Sequence, residues 1–168
     1  MGAFHAYDIR GIYGVDFDKE TAYKVGYFIP ELLGADKVVV GRDCRVSSEE
    51  IHDNLVKGIC DAGADVYDLG LSSTPMVYFA TANYGFKASV QITASHNPAI
   101  YNGIKVFTAG GRDADEIQTK DIEDYIADIK DGEVKEVTYE EGKTAGYIEE
   151  IYPLNEYLDN IITSVDME

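Results

Sequence analysis

The fold is decided by the stretch VVVGRDCRVSSEEIHDNLVKGICDAGADVYDLG, residues 38–70, which predicts a strand, a helix and a second strand. Val38–Val40 is a β-branched run, and Asp65–Leu69 is a second short strand. Ser47–Ala62 has apolar residues at helical spacing between them. A strand, a helix and a strand in this order indicate a right-handed crossover between parallel strands.

The same alternation extends on both sides of this stretch. Helices are predicted at Lys19–Leu33, where Pro30 should kink or shorten the helix, and at Thr74–Tyr84, where a proline stands in the first turn. A third strand is predicted at Ala88–Ile92. Helices alternating with strands predict an α/β fold, a three-layer αβα domain with a mostly parallel mixed sheet.

After the third strand the pattern changes. Asn102-Gly103 is a tight-turn signal, and Ile104–Thr108 is predicted to return antiparallel to its neighbour. Two further helices are predicted, at Asp113–Lys130 and Glu149–Ile162. We therefore expect one αβα domain over residues 1–145 and a terminal helix over residues 146–168 that leads into a second domain.

Composition narrows the class of protein. The net charge is −17, and most of it lies after residue 112, where 4 Lys and Arg face 18 Asp and Glu. Nucleic acid is therefore excluded as a partner, because phosphate binding needs a basic face. No apolar run approaches the roughly 18 residues that span a bilayer, and the first residues lack the layout of a secretion signal. Two cysteines, Cys44 and Cys60, are expected to be reduced thiols, and the expected location is the cytoplasm.

Loops rich in Gly, Ser, Thr, Arg and Asn follow each predicted parallel strand, at residues 41–48, 70–74 and 93–103. In parallel sheets ligands bind beyond the carboxyl ends of the strands, so a phosphate or sugar site is expected at this edge. An S-x-x-E pattern, Ser47 with Glu50, predicts a capping box beside the first of these loops.

Several side chains in these loops could carry chemistry, and the residues alone leave their roles open. Ser95 is either a nucleophile or a partner of its own turn, and His96 contacts either a bound phosphate or its own loop. Lys105 is either a proton carrier or a surface lysine. Arg10 suits bidentate phosphate contact, whereas Arg42 is expected to form a salt bridge with a local acid such as Asp43.

Five short motifs follow one another along the chain: AYDIRG at residues 6–11, GRDCRVSS at 41–48, STP at 73–75, TASHNP at 93–98 and YNGIK at 101–105. Together they resemble the first, catalytic-serine domain of the α-D-phosphohexomutases, specifically of the phosphomannomutase/phosphoglucomutase branch. The resemblance is clear from Phe4 to about Phe107 and covers the remainder only by general layout.

The resemblance implies an enzyme that moves a phosphoryl group between the 1- and 6-positions of glucose or mannose phosphate through a bisphosphorylated sugar. In the family, the residue matching Ser95 carries the phosphoryl group and the one matching Lys105 is the general acid/base. Residues matching Tyr7, Arg10 and His96 line the substrate site. The resemblance also implies Mg²⁺ on the phosphoryl group of Ser95 and glucose 1,6-bisphosphate as activator.

The chain departs from the family pattern in its metal loop. An Asp-Gly-Asp-Gly-Asp-like run is missing, and Asp113–Glu116 matches it in neither position nor context. The sugar-selecting and distal phosphate loops are also missing. The expectation is a fragment with a hexose phosphate substrate and the remaining domains of the parent enzyme as partners, and with little or no mutase activity alone. A phosphate-binding module without turnover is the alternative, and a hydrolase using Ser95 is a third reading.

Overall fold

The computed structural model describes residues 3–6, 8–128 and 144–165. Its helices are α1 (Lys19–Leu33), α2 (Ser48–Asp61), α3 (Thr74–Asn83), α4 (Glu116–Asp128) and α5 (Leu154–Ser164). Its strands are β1 (Ile9–Ile12), β2 (Lys37–Arg42), β3 (Asp65–Leu71), β4 (Ala88–Ile92), β5 (Tyr101–Thr108), β6 (Arg112–Asp113) and β7 (Ile148–Glu150).

The strands form one mixed sheet in the order β1-β5-β4-β2-β3-β7, with β6 paired to β5. Strands β4, β2, β3 and β7 are mutually parallel, and β5 runs antiparallel to both β4 and β1. Helices cover both faces, as the strand–helix alternation predicted. The predicted αβα architecture with a mixed sheet is therefore confirmed, and so is the antiparallel return of β5.

The two faces of β2 belong to different cores. Val38 and Val40 pack among the apolar residues of α1 and α2, whereas Val39 packs with Val77 of α3 and Phe107 of β5. All five side chains are fully buried or nearly so. A strand covered by helices on both sides needs apolar residues at every position, which is why β2 is a continuous valine run.

Helices α1 and α2 approach each other backbone to backbone. A Cβ atom added at Gly58 of α2 would lie 2.2 Å from the carbonyl oxygen of Tyr23, and one added at Gly26 of α1 would lie 2.1 Å from that of Leu55. The predicted apolar stripe of α2 continues this contact into the core. Its members Ile51, Leu55 and Ile59 are fully buried.

Two helix boundaries depart from simple sequence rules. Helix α1 is not shortened by Pro30, since it continues to Leu33, and Gly34 ends it at φ +57°. The predicted capping box of α2 is wrong: Ser47 makes no cap hydrogen bond to the helix, and its hydroxyl accepts one from the Asn102 amide instead. The Ser47 hydroxyl thus bonds to Asn102 of β5 and does not cap its own helix.

The C-terminal elements begin later than predicted. Asp113 belongs to strand β6, so α4 begins at Glu116. Ile148–Glu150 is strand β7, which pairs with β3, and α5 begins only at Leu154. Strand β7 is exposed and only three residues long, so its sequence is too short to show the two-residue alternation that predicts a strand. The division at residue 145 stays a prediction, although the segment after it adds a strand to this sheet. No helix within the described ranges is long and apolar enough to cross a membrane.

Candidate functional site

The loop between β4 and β5, residues 93–100, is called the serine loop below. Ser95 has φ +56° and is the single non-glycine residue with positive φ in the described part of the chain. Its amide donates to Thr93 Oγ1 at 2.9 Å. A left-handed conformation costs an L-residue about 1–2 kcal/mol, so the surroundings must impose it on Ser95.

Arg45, in the loop after β2, supplies much of that constraint. Its two terminal nitrogens each donate to two backbone carbonyl oxygens of the serine loop and the first residue of β5. These acceptors belong to Ser95 (3.0 Å), Asn97 (2.7 Å), Pro98 (2.8 Å) and Tyr101 (3.0 Å). Arg45 was not among the predicted site residues.

Asp43 holds Arg45 in place. Its carboxylate accepts from Arg45 Nε at 3.1 Å and from the Arg45 amide at 3.0 Å. The hydroxyl of Ser48, the first residue of α2, donates to it at 2.6 Å. Asp43 therefore pairs with Arg45 and not with Arg42, whereas Arg42 interacts electrostatically with another local acid, Asp68. The chain bends at Cys44, and the Arg45 amide bonds back to the Asp43 carboxylate, so the two side chains lie next to each other.

Asn102 and Gly103 lie inside strand β5, opposite Gly11 and Arg10, so the predicted turn at Asn102-Gly103 is wrong. The chain reverses earlier, where the Tyr101 amide donates to the Pro98 carbonyl at 3.0 Å. Gly103 is needed for close packing instead, because a Cβ atom there would lie 2.5 Å from the Ile9 carbonyl oxygen. The missing side chain at Gly103 lets β1 pack closely against β5. Arg10, which pairs with Gly103, therefore lies near the serine loop.

A cavity of about 360 Å³ opens beside the serine loop, lined by His5, Asp8, Arg10, Asn97 and Tyr101. Arg10 forms a salt bridge with Asp8 through one terminal nitrogen. Its Nε is buried and has no partner among the described residues. Arg10 lines this cavity, and a guanidinium with donors beyond its single salt bridge is suited to an anionic ligand.

The structure brings some predicted site residues together and leaves others apart. Ser95 Oγ and His96 Nδ1 lie 3.3 Å apart, closer than expected for neighbours in an extended loop, because Ser95 is left-handed. Lys105 is half-buried and pairs in register with Gln91, on the α3 side of the sheet. Tyr7 lies outside the described residues.

The described residues do not by themselves fit Mg²⁺. No group of three or more His, Cys, Asp or Glu side chains in the described ranges could hold a metal ion. The two carboxylates nearest the serine loop, Asp8 and Asp43, are already neutralised by Arg10 and Arg45. Hard divalent cations need several free oxygen ligands, which these two paired carboxylates do not offer.

The sequence matches one family over most of its length. The model of phosphoglucomutase/phosphomannomutase, alpha/beta/alpha domain I, matches residues 1–133. The chain belongs to the phosphoglucomutase/phosphomannomutase family. The resemblance carried by the five sequence motifs is thereby confirmed at the level of the family and the domain.

Individual proteins similar to this chain carry names from the same family. A phosphomannomutase of Klebsiella pneumoniae is 45% identical over 106 residues, which are 63% of this chain and 68% of that protein. A phosphomannomutase of Escherichia coli is 36% identical over 99% of this chain and 36% of its own length. A solved family protein of Burkholderia thailandensis has a TM-score of 0.79 at 31% identity, over 98% of this chain and 36% of that one. The chain thus spans about a third of the latter two.

A second charged cluster lies at the same edge of this family domain. His52 of α2 has Nε2 3.0 Å from Asp68 Oδ2 of β3, an ion pair without the geometry of a linear hydrogen bond. Its Nδ1 faces Asp53 at 3.2 Å. Burial opposes the charged imidazole, but the two carboxylates outweigh it and raise the pKa of His52. Burial likewise opposes the charged Asp68, but His52, the Gly70 amide and Arg42 lower the pKa of Asp68.

These shifts predict a pH-dependent stability. A raised folded-state pKa means that His52 stabilises the fold fully below its unfolded pKa of about 6.5 and ceases to do so as pH rises through the folded value. At pH 6, His52→Gln is expected to lower the free energy of unfolding by about 1–3 kcal/mol, and by less at pH 8.5. Urea unfolding of both proteins at the two pH values measures this. A deficit that does not shrink at pH 8.5 contradicts the charge assignment.

Proposed function

We propose that this chain supplies the catalytic-serine part of a hexose phosphate mutase. Ser95 would carry a phosphoryl group that passes between the 1- and 6-positions of glucose or mannose phosphate through a bisphosphorylated sugar. The observation that carries the proposal is the left-handed Ser95 in a loop bonded to Arg45, beside a cavity that contains Arg10.

The transfer balances without further reactants. The bond between phosphorus and Ser95 Oγ breaks while a bond from phosphorus to a sugar hydroxyl oxygen forms, and the return step reverses the two bonds at the other sugar position. The hydroxyl proton needs an acceptor, and we assign that role to Lys105. Phosphoryl transfer depends mainly on positioning and charge stabilisation, so the residues around Ser95 matter more than its intrinsic nucleophilicity.

Substrate contacts are assigned to the cavity side of the loop. Arg10, which lines the cavity, is proposed to bind the phosphoryl oxygens through its guanidinium, while Asp8 limits the positive charge left over. His96 is proposed to hydrogen-bond the same phosphoryl group, which is supported by its Nδ1 lying 3.3 Å from Ser95 Oγ. Tyr7, which precedes Asp8, is proposed as a further substrate contact.

The complete reaction belongs to longer relatives, since the chain spans about a third of several of them. We propose that a hexose phosphate and further mutase domains are its partners, in the cytoplasm, with glucose 1,6-bisphosphate as activator. Mg²⁺ on the phosphoryl group would need ligands beyond the described residues. The 168-residue chain alone is expected to show little or no mutase turnover.

Intact-mass measurement after incubation with glucose 1,6-bisphosphate and Mg²⁺ tests the proposal. The expected result is a gain of one phosphoryl group that maps to the Ser95 peptide and is absent in Ser95→Ala. Ser164→Ala, which removes a serine from α5, is the matched control and should still gain the group. An adduct that persists in Ser95→Ala contradicts the assignment.

A phosphate-binding module without turnover is the second candidate, favoured by the position of Arg10 in the cavity and the absence of a metal-binding cluster among the described residues. It predicts that the wild-type chain stays unmodified yet binds inorganic phosphate, as titration calorimetry would detect. Arg10→Ala should then abolish binding, while Ser95→Ala should leave it nearly unchanged.

A further inference from the structure

The guanidinium of Arg45 is fully occupied. An arginine carries five side-chain N–H donors. Four of them point to the backbone carbonyls of the serine loop and Tyr101, and the fifth points to Asp43. The Asp43 carboxylate therefore fixes the position of the Arg45 side chain, and the two terminal nitrogens of Arg45 fix the positions of the four carbonyl oxygens.

Because four backbone carbonyl oxygens point towards the Arg45 guanidinium, the directions of the neighbouring backbone N–H groups of the serine loop are also fixed. The Asn97 amide bonds back to the Ala94 carbonyl, and the Ser95 amide bonds to Thr93 Oγ1. The His96 amide has no acceptor among the described residues. Since the carbonyls of Ser95 and Asn97 are held by Arg45, this free amide is directed away from the guanidinium, on the side where an anion can reach it.

We propose that Arg45 is the positioning residue of the serine loop: it holds Ser95 in the left-handed conformation that presents Oγ for phosphoryl transfer. It acts through the backbone and touches no substrate. The proposal deepens the proposed function and rests on it for the chemical step. The conformational step stands on the geometry alone.

Lysine cannot replace this arginine. A lysine ammonium has three donors at a single point, whereas the carbonyls of Ser95, Asn97 and Tyr101 are reached from two separate nitrogens of a planar fork. Arg45→Lys keeps the charge and loses the geometry. It therefore separates positioning from a purely electrostatic contribution of Arg45 to phosphate attraction.

The conformational test uses nuclear magnetic resonance on the 15N-labelled chain. A positive φ shortens the distance between the amide and α protons of one residue, so wild-type Ser95 should give a strong intraresidue cross-peak. The peak is expected to weaken to the level of ordinary loop residues in Arg45→Lys and Arg45→Ala. Unchanged Ser95 cross-peaks in both variants overturn the proposal.

Arg42→Ala is the matched control. Arg42 ends β2, three residues before Arg45, and has no side-chain hydrogen bond to the serine loop among the described residues. The Ser95 cross-peak should stay strong in this variant. Circular dichroism confirms that each variant is folded. If Arg45→Ala does not fold, the Ser95 cross-peak of Arg45→Lys carries the test.

The chemical test measures how fast Ser95 gains a phosphoryl group from glucose 1,6-bisphosphate. The rate is expected to fall about tenfold in Arg45→Lys and about a hundredfold in Arg45→Ala, the cost typical of small misplacements of a reacting group. Guanidinium ion should restore part of the Arg45→Ala rate, and ammonium should not. Equal rates in the three proteins overturn the proposal.

The conformational and chemical tests distinguish a failure of the proposed function from a failure of the positioning role of Arg45. If the wild-type chain gains no phosphoryl group, the phosphate-binding module without turnover is favoured over the proposed function, and the Ser95 cross-peak alone decides the role of Arg45. If the wild type reacts while Arg45→Lys reacts equally fast and keeps the cross-peak, the proposed function stands and the positioning role is wrong.

Discussion

Replacing Gly58 by alanine is expected to lower the free energy of unfolding by about 3 kcal/mol, even though alanine in a helix is ordinarily better than glycine by about 1 kcal/mol. The sign reverses because the new Cβ atom would lie 2.2 Å from the Tyr23 carbonyl oxygen and 2.8 Å from the Tyr27 amide. Both obstacles are backbone atoms of α1. They can move only if the helices separate, and separation opens the core around Ile51, Leu55 and Ile59.

Chemical denaturation followed by circular dichroism measures this effect. Glu49→Ala, at an exposed position of the same helix, is the control and should change the free energy of unfolding by less than about 1 kcal/mol. Gly26→Ala should match Gly58→Ala, since it meets the Leu55 carbonyl from the opposite helix. A stabilised Gly58→Ala would show that the two backbones are not in contact.

Sequence reasoning located the elements whose signals are local. The valine run of β2 and the stripe Ile51, Leu55 and Ile59 predicted a strand and a helix correctly, because periodicity reports burial directly. It failed where a tertiary partner decides the outcome. Asn102-Gly103 has the composition of a turn, yet the asparagine donates to two serines at the start of α2 and the glycine allows a neighbouring strand to pack closely.

The candidate site shows the same division. Arg10 could be singled out because it stands among small and β-prone residues near a family motif. Arg45 also stands inside a quoted motif, GRDCRVSS, but its acceptors are backbone carbonyls about 50 residues away in sequence. Backbone carbonyls have no residue type, so no spacing rule could reveal them. The Asp43–Arg45 pair two residues apart was the one available signal.

Replacing Asn102 by alanine is expected to lower the free energy of unfolding by about 3 kcal/mol. The Asn102 side chain is fully buried. Its amide nitrogen donates to Ser47 Oγ at 2.8 Å and Ser48 Oγ at 2.9 Å, and its oxygen accepts from the Gly103 amide at 2.8 Å. Alanine loses all three bonds and leaves the Gly103 N–H buried without this acceptor, which is the costly part of the change.

The effect should reach the serine loop, because Ser48 also donates to Asp43, which fixes the position of Arg45. Urea unfolding gives the stability change, and the Ser95 intraresidue cross-peak reports the loop. Thr108→Ala is the control on the same strand, since Thr108 is half-buried and its hydroxyl makes a long 3.4 Å contact; it should cost less than about 1 kcal/mol. Equal stability losses in Asn102→Ala and Thr108→Ala would mean that the three hydrogen bonds of Asn102 do not hold β5 to α2. A destabilised Asn102→Ala with an unaltered Ser95 cross-peak would instead confine its role to the fold, because Arg45 would then keep its place without the link through Ser48.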